Sequence, residues 1–579
     1  MKPGSNTLDP LLDRLGELKT SFGSRDSRNV EQILPRISRK KIDDAETLIR
    51  LHELLLFLSA YPPNGRVRRL AEALLKNFTK RIEALRAAEA DLSPLESPEV
   101  SGIAGTSVTD TFSYPIVCWL VRRQPGRVRL DWEWFEDENR LAETWPRFMP
   151  LLEEDAFVEA NVPYKTWLRM AMGRNARDVD WLVERFESLK ISDRERTELY
   201  DSLKLYVRWA PPDRATRTGL RLRTSRSTKV FYHREPLIRR RDISLKRELE
   251  NPPPEMTRLS PKQGEAILDM AREASTVRYR ELYGFTHGDP RKVIQTNLGR
   301  GVDIFVMGLP PNRRLPLRAY HAAMIFKNGV PIGYFEGLSL FERMESGFNL
   351  YYTFRDGETA WLYARTLNIF RHLLGVTAFS LDPYQIGFEN EEGIESGAFW
   401  FYRKLGFRPT KPEVMKLVLN EEKKLRSRPA YRTSARTLRR LAAGSMIYEL
   451  DKSLHESSGR SGHGDWDQFQ VRNIGFRVQR RMAERFKGDA GRMRSETVKD
   501  LTRTLGLSMN LRNEFEISAL SDFAVTLSLV EDLQRWNADE KQALAEIVRA
   551  KAGTEESKYL RLTQKHERLR AALIKLGSC

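Results

Sequence analysis

Residues 319–341 read AYHAAMIFKNGVPIGYFEGLSLF, two apolar runs joined by Asn328-Gly329. Asn-Gly supplies the left-handed pair that a two-residue hairpin turn needs, so the stretch predicts two antiparallel strands. Working outward, VDIFVMGL from Val302 to Leu309 reads as an earlier strand. A turn placed at Glu345-Ser346-Gly347 leads into another, FNLYYTF, and a meander spans roughly 302–354. After Arg355-Asp356-Gly357-Glu358-Thr359-Ala360 a helix is expected, with Tyr363, Leu367, Phe370 and Leu374 on one face and Gly375 at its stop. VTAFSL is read as a strand, Ile394, Ala398, Phe401 and Leu405 as a second helix ending at Gly406, and EVMKLVL as a last strand. Upstream, Ser260-Pro261-Lys262-Gln263 forms a capping box and Asp289-Pro290 a second helix start.

On both sides of this region the chain reads as helical. Leu48, Leu51, Leu55 and Leu58 share one face, and after Pro62-Pro63-Asn64-Gly65 a second face follows through Val67, Leu70, Leu74 and Phe78. A loop is expected over Ser93–Thr111, then a tryptophan-rich helical part to Trp209. Near the other end, a loop is expected over Ser453–Gly464 and a helix capped by Asn537-Ala538-Asp539-Glu540. The fold class expected is α+β: a central mixed, mainly antiparallel sheet with helices, between all-α regions. The divisions are 1–210 helical, 211–254 a basic connector closed by Asn251-Pro252-Pro253-Pro254, 255–420 the mixed domain, 421–440 a second basic connector, and 441–579 helical.

With 579 residues, 40% hydrophobic and 30% charged, the composition excludes a disordered, collagen-like or mucin-like chain. Two cysteines exclude a disulfide framework or Cys-rich zinc module and suggest a reducing, cytoplasmic setting. No signal-peptide core and no membrane span is read. The 97 Lys+Arg and 79 Asp+Glu leave +18. Residues 214–247 carry 12 basic and 2 acidic residues, and residues 423–440 carry 8 basic and none acidic. Together they account for the whole net charge. Such runs either join domains or attract an acidic protein or nucleic acid; only Phe231, Tyr232 and Tyr431 interleave as aromatics, and the connector reading is favoured.

The order helix, helix, meander, loop, helix, strand, helix, strand over 255–420 resembles the GNAT superfamily of N-acyltransferases, which move an acyl group from coenzyme A to an amine. The resemblance rests first on Ala398-Phe399-Trp400-Phe401-Tyr402-Arg403-Lys404-Leu405-Gly406-Phe407, similar to the family's Ala-x-x-x-Tyr-x-x-x-Gly-Phe. It implies that Tyr402 protonates the departing thiolate, a task suited to a phenol with a pKa near 10. Where the family often has asparagine, seven positions earlier, this chain has Glu395. The second place is Arg355–Ala360, similar to the family's Arg/Gln-x-x-Gly-x-Gly/Ala loop, whose backbone amides cradle the coenzyme A pyrophosphate. Here Glu358 replaces the first glycine, and Gly357 serves if the loop shifts by one residue. Third, the resemblance makes Asn349, Leu350, Tyr351, Tyr352 and Thr353 the strand along which the pantetheine arm would lie. The implied cofactor-binding set is Asn349, Tyr351, Tyr352, Thr353, Arg355, Gly357, Glu358, Thr359 and Ala360, with acetyl-CoA or another acyl-CoA as co-substrate and no metal.

For the proton that the acceptor ammonium must lose, Glu336 and Asp382 are candidates; His321 and His372 read as structural. No Ser-His-Asp set, P-loop or metal-ligand spacing appears. Two readings follow: an acyl-CoA-dependent N-acyltransferase acting on a small-molecule or protein amine, or a GNAT-like binding or scaffold protein without chemistry. Transfer from an aminoacyl-tRNA is a third, without a motif of its own.

Overall fold

The computed structural model describes residues 8–137, 139–149, 161–174, 176–222, 230–450, 464–506 and 513–578. At its centre lies a nine-stranded, mostly antiparallel sheet. Its strands are β1 (Met256–Arg258), β2 (Val293–Asn297), β3 (Val302–Gly308), β4 (Ala319–Lys327), β5 (Val330–Leu340), β6 (Arg343–Leu350), β7 (Ala378–Leu381), β8 (Arg408–Pro409) and β9 (Met446–Glu449), in spatial order 8-9-7-6-5-4-3-2-1. β1 to β6 follow one another antiparallel, as short turns dictate. β7 runs parallel to β6, because helix α2 (Thr359–Leu374) carries the chain back across the sheet.

Side-chain alternation assigns the two faces. Phe335 stacks on Phe370 of α2 at 4.9 Å, and Phe348 packs on Tyr363. The adjacent residue Tyr334 points the other way, toward Phe285, and Tyr320 toward Tyr283, beneath α1 (Pro261–Thr276) and the turn after it. The hairpin turn falls at Asn328-Gly329, with φ of 48° and 80°.

Several expected elements differ. The turn placed at Glu345–Gly347 lies instead at Phe341-Glu342, with Phe341 at φ 53° and Leu340 paired to Arg343. Starting β6 at Arg343 puts Met344, Ser346, Phe348 and Leu350 on the buried face. Asp289-Pro290 opens one 3-10 turn rather than a helix, since Val293 and Thr296 are needed in β2. EVMKLVL is part of a helix, Pro412–Ser427; Pro412 starts it, and Val414, Val418 and Glu421 bury one stripe. The helix read through Ile394 and Leu405 is two, α3 (Glu391–Glu395) and α4 (Ala398–Arg403), separated by Gly397 at φ 67°.

The sheet's ninth strand comes from residues 446–449, within the stretch read as helical C-terminal region. The N-terminal part adds a small three-stranded sheet, 108–110, 128–130 and 207–209, to its helices. The expected leucine hairpin is present as helices Ala45–Ala60 and Gly65–Leu75, with Asn64 capping the second. Of the loop expected over Ser453–Gly464, only Gly464 is among the described residues.

The flanks are not separate beads. One apolar core runs from Leu8 through the sheet to Leu573, and the tryptophan-rich part has its own around Trp145 and Trp209. Polar ties reinforce the joins. Asn328 donates to Ala60 O, Arg314 caps the carbonyls of Lys551 and Thr554, and Arg570 pairs with Glu342.

Candidate functional site

β7 follows β6 only from Ala378–Arg343 to Ser380–Glu345, and the chain then leaves the sheet through the 3-10 turn Pro383–Ile386. β6 continues alone on that side, so Gly347–Leu350 are paired with β5 but have no strand beyond. At the point of divergence Ser346 Oγ lies 3.0 Å from Tyr363 Oη and donates to Ser380 O at 3.4 Å. Above it opens a cavity of about 250 Å³ lined by Phe348, Asn349, Arg355, Thr359, Gln385 and Tyr402. Tyr402 enters from α4, packed edge-on against Tyr363 and Phe407. Burial pushes its phenol pKa up, which keeps the proton on oxygen.

A second cavity, about 570 Å³, shares Arg355, Thr359 and Phe401 with the first. It also contains Lys19, Arg239, Arg240, Asp356, Gly357 and Ala360. The first bond into α2 runs from Leu362 N to Glu358 O, so the amides of residues 359–361 stand ahead of the helical ladder. Two features keep the loop's own carboxylates off these amides. Asp356 pairs with Lys19 at 2.6 Å. Glu358, 1% exposed, turns inward to Arg300 and to Lys327, whose ammonium lies 3.2 Å away. Gly357 is set by close approach: a Cβ there would come within 2.5 Å of the Tyr61 hydroxyl.

The other expected residues lie elsewhere. The expected strand 349–353 ends at Leu350, and Tyr352–Phe354 form a 3-10 turn. Tyr351 is buried under the Arg278 guanidinium, 3.9 Å from its ring centre. Tyr352 is 67% exposed, and Thr353 donates to Glu53. Thus Tyr351, Tyr352 and Thr353 line neither cavity, whereas Asn349, Arg355, Thr359 and Tyr402 share one. Glu336 accepts from the Tyr320 hydroxyl on the α1 face; burial raises its pKa. Asp382 lines a third cavity, about 500 Å³, with Arg318, Arg343, Glu345 and Arg472, beside the C-terminal region. His372 bonds Asn251 O, and buried His321 has its pKa pushed down to about 4 by burial. Among the described residues no group of His, Cys, Asp and Glu forms a metal site, and no helix is long and apolar enough to cross a membrane.

Sequence reasoning missed Lys19, Arg239, Arg240, Gln385 and Glu392, which pairs with Arg355 across the cavity mouth. The basic run was visible as charge, but nothing local indicates that Arg239 and Arg240 would stand over a loop more than a hundred residues away. In comparisons with protein-family models, curated proteins and solved structures, the chain matches none.

Proposed function

We propose that the chain is an acyl-CoA-dependent N-acyltransferase of GNAT type. The observation that carries this reading is the diverging parallel pair β6–β7, whose open side faces one cavity shared by Asn349, Arg355, Thr359 and Tyr402. On the edge facing away from β5, the backbone of Gly347–Asn349 has no neighbouring strand and offers the amide and carbonyl groups that a pantetheine arm would use. The joined second cavity is lined by the start of α2 and by Arg355, groups that suit a pyrophosphate.

In the direct reaction, the neutral amine nitrogen attacks the thioester carbonyl carbon, the C–S bond breaks, the sulfur takes the Tyr402 proton, and the proton shed by the new amide nitrogen restores the phenol. Burial makes the Tyr402 phenol a weaker acid, so its contribution rests on a hydrogen bond that strengthens as charge grows on sulfur and then passes the proton. Glu336 and Asp382 line neither joined cavity, so the ammonium proton has to leave through water. Glu358, which stands where the family has glycine, turns its carboxylate to Arg300 and Lys327 and so does not oppose an anion on the loop.

Calorimetric titration with acetyl-CoA tests the reading, and absence of binding ends it. Tyr402→Phe should retain binding while kcat falls by about 10²–10⁴-fold. Undiminished turnover would remove Tyr402 from the reaction.

A further inference from the structure

The two segments that carry the net charge meet at the end of α4, whose Phe401 lines the larger cavity. Arg240, from the first, donates to Lys404 O at 3.3 Å at the end of α4. The second is fastened to the same helix where Trp400 Nε1 donates to Thr433 Oγ1 at 3.1 Å. Lys404 has its pKa lowered by burial and then by the charges of Arg240 and Arg432, one from each segment. The other cations here have partners: Lys19 pairs with Asp356 and Arg355 with Glu392. Arg239, Arg240, Lys404 and Arg432 have no carboxylate at ion-pair distance among the described residues. Clustered like charges repel, and a dianion is the group that relieves them.

We propose that this cluster binds the 3′-phosphate of coenzyme A, so that the donor is free acyl-CoA and not an acyl group on protein-bound phosphopantetheine. The inference rests on the acyltransferase reading and goes beyond its pyrophosphate loop. A volume of about 570 Å³ falls within the roughly 300–1,000 Å³ of small-molecule sites. Arg239 and Arg240 form part of its wall, and through Arg355, Thr359 and Phe401 it opens to Tyr402. Phosphopantetheine on a carrier protein is held by a single phosphodiester, so it lacks both the second phosphoryl of the coenzyme A pyrophosphate and the 3′-phosphate, and of these only the 3′-phosphate monoester is a dianion. Nucleic acid is disfavoured because the phosphate-binding wall is a cavity that also holds Asp356, not an open stripe with stacking aromatics.

The test is calorimetric titration of the full chain with coenzyme A, 3′-dephospho-coenzyme A and 4′-phosphopantetheine. Coenzyme A should bind about tenfold or more tightly than the dephospho form, with a steeper loss as salt rises. Arg240→Ala and Arg239→Ala should close most of that gap, weakening coenzyme A more than dephospho-coenzyme A; retained dephospho-coenzyme A binding shows that the variants fold. Equal affinity for the two coenzymes, or equal weakening of both by the variants, overturns the proposal while leaving the acyltransferase reading intact. No binding of any of the three overturns both. An oligonucleotide that binds through Arg240 when coenzyme A is not discriminated would reassign the cluster to nucleic acid.

Discussion

Lys327 lies against Glu358 of the 355–360 loop and Lys404 against Arg240 of the cavity wall, and both have pKa values below that of a free lysine. Lys327 is fully buried and is pushed down to about 8 by that burial, while Glu358 opposes the shift and Arg300 adds to it. Lys404 is exposed; burial of part of its chain, Arg240 and Arg432 all lower it, and no carboxylate opposes them. The first cluster contains its counter-charge and the second does not. Buried charges must be matched within the fold, because desolvation leaves no other way to stabilise them. Exposed charges are under no such constraint and remain available to a ligand.

The sharpest way to break this contrast is Glu358→Gln, which leaves Lys327 and Arg300 without their shared carboxylate. A cost of about 3–5 kcal/mol is expected, read as a lowered thermal midpoint, with part regained by adding Lys327→Met. A loss under about 1 kcal/mol would show that the buried cluster is not matched as described.

A second balanced cluster extends the comparison. Burial would raise the pKa of Glu53, but Arg217, His52 and Thr353 together hold it at about 2. A carboxyl whose folded pKa lies below its ordinary 4.5 adds stability that is complete above pH 4.5 and is lost as pH falls toward 2. The amount is about 3 kcal/mol, visible as a decline of the thermal midpoint across that window. Glu53→Gln should flatten the decline.

The smallest effect should come from the unbalanced cluster. Arg240→Gln removes repulsion and one bond to a carbonyl, so stability should change by no more than about 0.5 kcal/mol. Lys404 should titrate at higher pH in that variant, followed by NMR or by its rate of chemical modification. An unchanged Lys404 would dissolve the cluster.

What was legible in the sequence followed a local rule. Asn328-Gly329 specified its hairpin because few other pairs accept two left-handed residues, and Ser260-Pro261 and Gly375 marked helix ends through capping chemistry. Errors arose where local signals were equivocal. Glu345-Ser346-Gly347 looks like a turn, but the pleat needs those residues extended so that Met344, Ser346 and Phe348 face inward. EVMKLVL alternates weakly enough to pass for a strand, and its helical stripe shows only when Glu421 is included. At the site, Tyr402, Asn349, Arg355 and Thr359 fell within legible motifs, whereas Gln385 lies in the 3-10 turn and Glu392 in the short helix α3 that follow β7, and their direction depends on where β7 leaves the sheet.

By itself the sequence determined the meander, the loop ahead of α2, the placement of Tyr402 near a helix end, and the concentration of charge in two runs. Each of these depends on neighbours within a few residues, where backbone sterics and capping act. Only the tertiary structure decided that Glu358 turns away from the loop, that β6 and β7 part at Ser346, and that Arg240 and Arg432 converge on Lys404. Those outcomes depend on groups distant in the chain, and burial and Coulomb interaction select among them only once the core has formed.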